Sequence, residues 1–434
     1  MRLWLYVCLI AGTVLGQAVP DAWEKQLLQA NLLARQGKFS EAEKLYEEAI
    51  RQAEPFPEGD MRRAKAWNNL GALYHQTGRY AEAEELYGKA LPAYGELKGM
   101  ARAAYASVLN NLAEVHRMRG RYQQAEALFR KAIAEREEHN PTDKDIAAPL
   151  NNLAVLLNLQ GHPAEAEPLV RRAIATWEEK YGDVHRNVAS SYNTLGETLR
   201  LLGRHEESEQ AHRRAMDVRA KVLPEGHPEM ATGLSNLGSA LYGQGKYAEA
   251  EALYRQGLEI RVKALGGKHP AIAFLLNNIG TALQAQGKSG EAENHYRQAM
   301  EMMEVTGAAG HTDYSKAVEN LATLFVSQGK MGGAEELYLR ALAVREKALG
   351  KRSPVLGDTY ETIAQFYNLA GRITEAERYL RKALEARENA FGPQSEEVAR
   401  NLTKLEALYR AQRRDAQADR VQNRANLIRS LIRQ

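Results

Sequence analysis

The chain has 434 residues, a formal net charge of +3 and a single cysteine. A net charge so close to zero gives no reason to expect a nucleic-acid or anionic-membrane partner. A composition with 44% hydrophobic residues and only 13 prolines argues against disorder. A chain of this length normally divides into two or more globular domains, unless it is a repeat array.

Residues 1–18 have the pattern of a secretory signal peptide. Arg2 precedes an apolar run from Leu3 to Leu15, and small residues follow at Gly16 and Ala18. The run is short for a membrane-spanning helix, so cleavage is expected to release an exported chain, periplasmic or secreted, without stable membrane insertion. The alternative is an uncleaved N-terminal anchor. Because Cys8 lies in this run, the mature chain would have neither a disulfide nor a thiol nucleophile.

A glycine recurs at intervals of 41 or 42 residues along nearly all of the remaining chain. The positions are Gly37, Gly78, Gly120, Gly161, Gly203, Gly245, Gly287, Gly329 and Gly371. Five residues after each glycine stands alanine, except for Ser208. A fixed period between 20 and 50 residues indicates a repeat array.

Residues 231–272 show how one period is expected to fold. A first helix, helix A, has an i, i+3, i+4, i+7 stripe formed by Leu234, Leu237, Gly238 and Leu241. Gly245 ends this helix, because a left-handed turn is easiest for a residue without Cβ. A second helix, helix B, follows with an inward stripe that contains Ala250, Leu253, Tyr254, Gly257 and Leu258. Small residues in both stripes allow the helix backbones to approach closely.

Helix–turn–helix units with leucine, glycine, tyrosine and alanine at these offsets resemble the tetratricopeptide repeat, whose usual period is 34. The longer period, the segment Leu276–Gly280 and the linker Ala264–Pro270 are similar to the kinesin-light-chain subtype in a bacterial, exported form. The resemblance covers residues 23–412, as about nine repeats, and implies an all-α, right-handed solenoid with helices A along a concave groove. Residues 413–434 are expected to form a C-terminal capping helix, with Arg413 in place of the turn glycine.

One residue of each helix A is expected to face the groove. This inner position lies two residues before the Leu or Ile that precedes the small residue, and reads Asn68, Asn110, Asn151, Asn193, Ser235, Asn277, Glu319 and Glu361. Asparagine is a poor helix former, but its amide both donates and accepts, so five in register can pair with the backbone of an extended peptide. Related arrays use asparagine in this way. Alternatively, each amide bonds a local carbonyl and shapes the stack.

The next residue, the seam position, is expected to have a structural role between repeats. It is asparagine at Asn69, Asn111, Asn152, Asn236, Asn278 and Asn320.

A second residue of helix A, the outer position, lies four residues after the small residue and is also expected to line the groove. His75, Arg117 and Arg200 occupy it in the N-terminal half, whereas Glu319, Asp358 and Glu361 make helices A of the C-terminal half acidic. Such a gradient would orient a bound strand; the alternative is an averaged, solvated surface. The candidate peptide contacts are Asn68, Asn110, Asn151, Asn193, Asn277, His75, Arg117 and Arg200.

The remaining patterns favour no catalytic, metal or cofactor site. His185, His227, His269 and His311 recur every 42 residues in the linkers, which spaces them about 8–10 Å or more apart. Metal ligands must converge at about 2 Å from one ion, so linker packing or a helix cap is the better interpretation. No phosphate-binding loop, HExxH or nucleophile elbow is present.

The sequence therefore predicts a non-catalytic scaffold without a cofactor, which binds a protein or extended peptide in its groove. The alternative is an architectural envelope component that self-associates and binds no ligand in the groove.

Overall fold

The computed structural model describes residues 22–57, 59–140, 142–224, 226–349, 353 and 355–432. The predicted signal peptide lies outside these residues. The described residues form two compact units, within residues 22–224 and 226–432. In the described residues all regular structure is helical. The predicted all-α fold of stacked helix–turn–helix units is confirmed.

The first unit contains five helix pairs. Each odd-numbered helix is helix A of a repeat and the next is helix B: α1 Ala22–Arg35, α2 Phe39–Ala53, α3 Met61–Gln76, α4 Tyr80–Gly95, α5 Arg102–Met118, α6 Tyr122–His139, α7 Ala147–Gln160, α8 Pro163–Tyr181, α9 Arg186–Leu201 and α10 His205–Val222. Short 3-10 turns precede α5 and α7.

The second unit repeats the arrangement with a further five pairs. Its helices are α11 Pro228–Gly243, α12 Tyr247–Leu265, α13 Pro270–Ala285, α14 Ser289–Val305, α15 Thr312–Ser327, α16 Met331–Leu349, α17 Val355–Leu369, α18 Ile373–Phe391, α19 Glu396–Ala411 and α20 Asp415–Ile432. Within each unit every helix packs mainly on its neighbours in sequence. The core is therefore a continuous row between helix pairs, as a repeat array requires.

The recurring glycines end helix A as predicted. All nine have a positive φ, and at Gly245 it is +79°. There the Gly245 amide donates to Tyr242 O at 2.9 Å and the Lys246 amide donates to Leu241 O at 3.0 Å. These two bonds are those of a Schellman turn, which satisfies the last carbonyls of the helix.

Arg413 occupies the same left-handed turn between α19 and α20, with φ of +57°. A residue with a Cβ is strained in this conformation, so Arg413→Gly is expected to stabilise the last helix pair by about 1 kcal/mol. Urea unfolding followed by circular dichroism measures the change. Arg413→Ala is the matched control, because it removes the charge and keeps the strain. An equal gain in both variants would contradict the backbone explanation.

The linker histidines cap the helices that follow them, as the sequence predicts. The Nδ1 atoms of His185, His227, His269 and His311 accept backbone N–H bonds at 3.0–3.2 Å from the residue two positions later. A side-chain acceptor at this point satisfies one of the open N–H groups of the first turn. Burial lowers the pKa of His185 and His269, which favours the neutral ring that the cap requires.

In three pairs a tyrosine ring of helix B packs on a glycine of helix A: Tyr87 on Gly71, Tyr254 on Gly238 and Tyr296 on Gly280. A Cβ atom on Gly238 would lie 2.7 Å from Tyr254 Cε1, and one on Gly280 would lie 2.7 Å from Tyr296 Cε1. A methyl group at either glycine would therefore displace the ring. In α10 the corresponding ring belongs to His212, which packs on Gly196.

Candidate functional site

The seam asparagines join the A helices of consecutive repeats. Asn152 Nδ2 donates to Asn110 Oδ1 at 3.1 Å, and Asn320 Nδ2 donates to Asn277 Oδ1 at 2.8 Å. Asn278 makes the equivalent bond to Ser235 Oγ at 3.2 Å. Each bond connects the seam position of one repeat to the inner position of the repeat before it. The predicted structural role is thus confirmed for these three asparagines.

Three inner asparagines are more deeply buried than expected for a row of side chains that is open to a ligand. Asn68, Asn110 and Asn277 are 4–7% exposed, and the carbonyl oxygens of Asn110 and Asn277 already accept seam bonds. These two amides therefore shape the stack, which is the alternative that the sequence left open. Asn151 and Asn193 are partly exposed. Peptide contact by the inner asparagines stays a prediction.

His75 does not offer the groove a cation. Its side chain is buried, with its ring centroid 5.5 Å from that of Tyr80. Burial lowers the pKa of His75, and the attraction of nearby Glu114 only partly opposes this effect. The ring is therefore neutral near pH 7, because desolvation disfavours its charged form. The sequence pattern indicated on which face of the helix His75 lies, but not how deeply its side chain is buried.

The two predicted groove arginines are neutralised one helical turn away. Arg117 Nη2 lies 2.9 Å from Glu114 Oε2, and the side chains are 11% and 4% exposed. Arg200 makes the same i, i+3 pair with Glu197 at 2.6 Å, closer to solvent. Each arginine thus has a carboxylate partner that offsets its charge, and peptide contact by Arg117 and Arg200 stays a prediction. The i, i+3 spacing of these pairs is readable in the sequence.

The predicted acidic residues of the C-terminal half are paired as well. Glu319 Oε2 lies 2.5 Å from Arg345 Nη1. The two atoms form an ion pair, but they are not aligned as a hydrogen bond. Arg387 Nη2 lies 2.8 Å from Asp358 and 2.7 Å from Glu361. Each of these three acids therefore has a cationic partner, and the charge gradient along the groove stays a prediction.

The sequence analysis missed a set of arginines on helix B, two of which pair with these acids. They share one place in the repeat and recur at multiples of about 42 residues: Arg136, Arg219, Arg261, Arg345, Arg387 and Arg429. Five of them contact helix A of their own repeat, through Ser107, Thr232, Glu319, Glu361 or Glu396. The recurrence of these arginines can be seen in the sequence, but the residues that they contact cannot.

A further row on helices A of the second unit is open to solvent. It lies three residues before the inner position and consists of Thr232, Phe274, Lys316 and Asp358. Thr232 is partly exposed and the other three are exposed. Phe274 is 39% exposed, although the other large apolar residues of α13 are buried. We call these four residues the open row; the sequence analysis missed it because it considered only the inner and outer positions.

The described part of the chain has neither a group of metal-binding side chains nor a helix that could span a membrane. In those residues no three histidine, cysteine or carboxylate side chains are grouped to hold a metal ion. None of the helices that the structure describes is long and apolar enough to cross a membrane.

Comparisons with known proteins agree with the repeat architecture. The family model described as tetratricopeptide repeat matches residues 24–96, 62–138, 145–221, 229–304, 313–388 and 355–425. No curated protein matches the sequence significantly.

Three solved structures are similar to the chain. BtubC (BKLC) from P. vanneervenii is 26% identical, with coverage of 58% of this chain and 95% of that one and a TM-score of 0.44. A Rap protein complexed with Competence and Sporulation Factor is 15% identical, with coverage of 86% and 100% and a TM-score of 0.59. The apo quorum sensor NprR from B. thuringiensis is 11% identical, with coverage of 93% and 97% and a TM-score of 0.56.

Proposed function

Because the chain belongs to the tetratricopeptide repeat family, we propose that it is a non-catalytic scaffold that binds an extended segment of another protein. The observation that carries this proposal is the open row, where Phe274 exposes an aromatic ring on a helix whose other large apolar residues are buried. Aromatic side chains are enriched among the residues that anchor protein interfaces. The segment would lie across helices A of the second unit.

The dimensions of the open row suit an extended chain. Packed helices are about 8–10 Å apart, and an extended chain rises about 3.3 Å per residue. Every third residue of the segment would therefore meet Thr232, Phe274, Lys316 and Asp358 in turn. The complex of the Rap protein with Competence and Sporulation Factor supports binding by a similar fold. Asn151 and Asn193, which are partly exposed, are the inner asparagines we propose for contacts in the first unit.

Capture of partners from an envelope extract tests this function. We expect Phe274→Ser to lose a partner that the parent protein retains, because the anchor ring is removed while the buried core is unchanged. Val262→Ser is the matched control, since Val262 is also 39% exposed but lies on helix B. Asn151→Ala with Asn193→Ala tests the first unit in the same assay. Circular dichroism checks that every variant is folded.

Equal capture by all variants would contradict recognition on this face and would favour the architectural alternative, in which the array only spaces or assembles other components. We also propose export, on the N-terminal sequence pattern alone. N-terminal sequencing of the protein recovered from its host would reject this proposal if residues 1–18 remained on a cytoplasmic product.

A further inference from the structure

Four repeats of the second unit have one of the recurring arginines on helix B. In three of these repeats the arginine has a carboxylate partner. Arg345 pairs with Glu319 at 2.5 Å, Arg387 pairs with Glu361 at 2.7 Å, and Arg429 lies 3.5 Å from Glu396. Glu319 and Glu361 both stand at the inner position of helix A in the same repeat. In these two repeats the inner acid neutralises the arginine that reaches it from helix B, whereas Arg429 meets an acid at the start of helix A.

Arg261 is the exception. It occupies the same place in α12, but the inner position of its repeat is Ser235, and Thr232 stands where the repeat of Arg387 has Asp358. Both possible acids are thus replaced by hydroxyl residues. Arg261 Nη2 donates to Thr232 Oγ1 at 2.7 Å, whereas its Nε is buried without a hydrogen-bond partner.

The environment of Arg261 is unfavourable for a charge that no carboxylate of the described residues balances. The residue is only partly exposed, and burial lowers the pKa of its guanidinium. A desolvated cation is costly unless an anion and additional hydrogen bonds compensate it. A guanidinium offers five N–H donors in a fork that matches a carboxylate. The site has the donor and lacks the inner acid that the repeats of Arg345 and Arg387 supply.

We infer that Arg261 binds a carboxylate of the partner segment, at the place that Glu319 and Glu361 occupy in two later repeats of the same unit. The inference rests on the proposed function, because Thr232, which Arg261 contacts, belongs to the same open row as Phe274. It narrows the partner to a segment that carries an acidic group close to an apolar side chain. The carboxylate is that of an acidic side chain or of a C-terminus.

The missing acid can be supplied from within the chain. Ser235→Glu is expected to raise the melting temperature by about 2 °C or more, because the new carboxylate meets Arg261 and also accepts from Asn278, which now donates to Ser235. In the Arg261→Gln background the same substitution is expected to lower the melting temperature, since the glutamate is then buried without a cation. An equal shift in both backgrounds would overturn the idea that Arg261 lacks an anion.

Fluorescein-labelled heptapeptides test the ligand class directly by fluorescence polarisation. One peptide alternates leucine and glutamate between alanines and has an amidated C-terminus; a second has glutamine for glutamate; a third is the glutamine peptide with a free C-terminus. We expect the parent to bind the glutamate peptide at least tenfold more tightly than the amidated glutamine peptide. Tighter binding of the third peptide than of the second would assign the site to a terminal carboxylate.

The variants separate this inference from the proposed function. Arg261→Gln and Ser235→Glu are expected to lose the preference for a carboxylate, because one removes the donor and the other occupies it. Lys263→Gln is expected to keep the preference, since Lys263 is 74% exposed on the same helix and pairs with Glu259. Equal binding of all peptides by the parent, absence of binding, or a preference that survives Arg261→Gln would overturn the inference. Capture that depends on Phe274 would still support the scaffold function.

Discussion

Replacement of His212 by phenylalanine is expected to raise the free energy of unfolding at pH 7 by about 1–2 kcal/mol. His212 is 1% exposed, and neither of its ring nitrogens has a hydrogen-bond partner. Its place in the repeat is that of Tyr254 and Tyr296, so the contact between helices A and B can hold a larger ring. Phenylalanine removes the two unpaired polar atoms and keeps a flat ring against Gly196.

The same substitution is expected to remove much of the protein's loss of stability in acid. Burial lowers the pKa of His212 from 6.5 to about 4, and repulsion by Arg219 and Arg200 acts in the same direction against the attraction of Glu197. Below pH 6.5 the unfolded chain therefore binds a proton that the folded protein does not. The stability from this group, complete above pH 6.5, is lost as the pH falls to about 4, and amounts to about 3 kcal/mol.

Urea unfolding of the parent and of His212→Phe at pH 7 and pH 4.5 measures both effects. His295→Gln, on helix B of another repeat, is the control for the loss of a histidine that is not buried in this way. Any acid sensitivity that remains in His212→Phe belongs to other groups, including His185 and His269, whose pKa values burial also lowers. A parent and variant that lose the same stability between the two pH values would contradict the assignment to His212.

Gly280→Ala is expected to destabilise the second unit by about 1–3 kcal/mol. The added Cβ would lie 2.7 Å from Cε1 of Tyr296, a side chain that is 1% exposed and donates from its hydroxyl to Gln284 at 2.8 Å. The ring must therefore shift within a closed contact and strain this hydrogen bond. Ala322 stands in the same place opposite Tyr338, which indicates that a shifted ring is possible and limits the cost.

The matched control for Gly280 is Gly290→Ala in helix B of the same repeat. A Cβ at Gly290 meets no atom within 4 Å, so the substitution is expected to be neutral or to stabilise by up to about 1 kcal/mol through helix propensity. Thermal and urea unfolding compare the two variants. If both alanines changed the stability in the same direction and by the same amount, close packing on Gly280 would not be the cause.

The sequence by itself determined the features that depend on local conformation. The left-handed turn at Gly245 and its equivalents follows from the absence of a Cβ, and it predicts where each helix A ends. The 42-residue register, which does not depend on the missing Cβ, placed Arg413 at the position of the turn glycine, where its φ is +57°. The pattern of helices A and B is equally local, because one helical period decides which residues are buried.

Only the tertiary structure decided which amides pair between repeats. The inner and seam asparagines are adjacent in sequence and about 100° apart around the helix, so periodicity places both near the same edge. The bond from Asn320 to Asn277 joins residues from different repeats. Its direction depends on how far one helix A is displaced along the next.

The charged residues also divide into those whose pairing can be read from the sequence and those whose pairing depends on the tertiary structure. The pair of Glu114 and Arg117 lies within one turn of a helix and could have been read from its spacing. The burial of His75 and the isolation of Arg261 could not, because burial and pairing there depend on side chains from another helix. Sequence periodicity specifies which side of its own helix a residue occupies. The distance between helices decides whether that residue meets solvent, a partner of opposite charge, or neither.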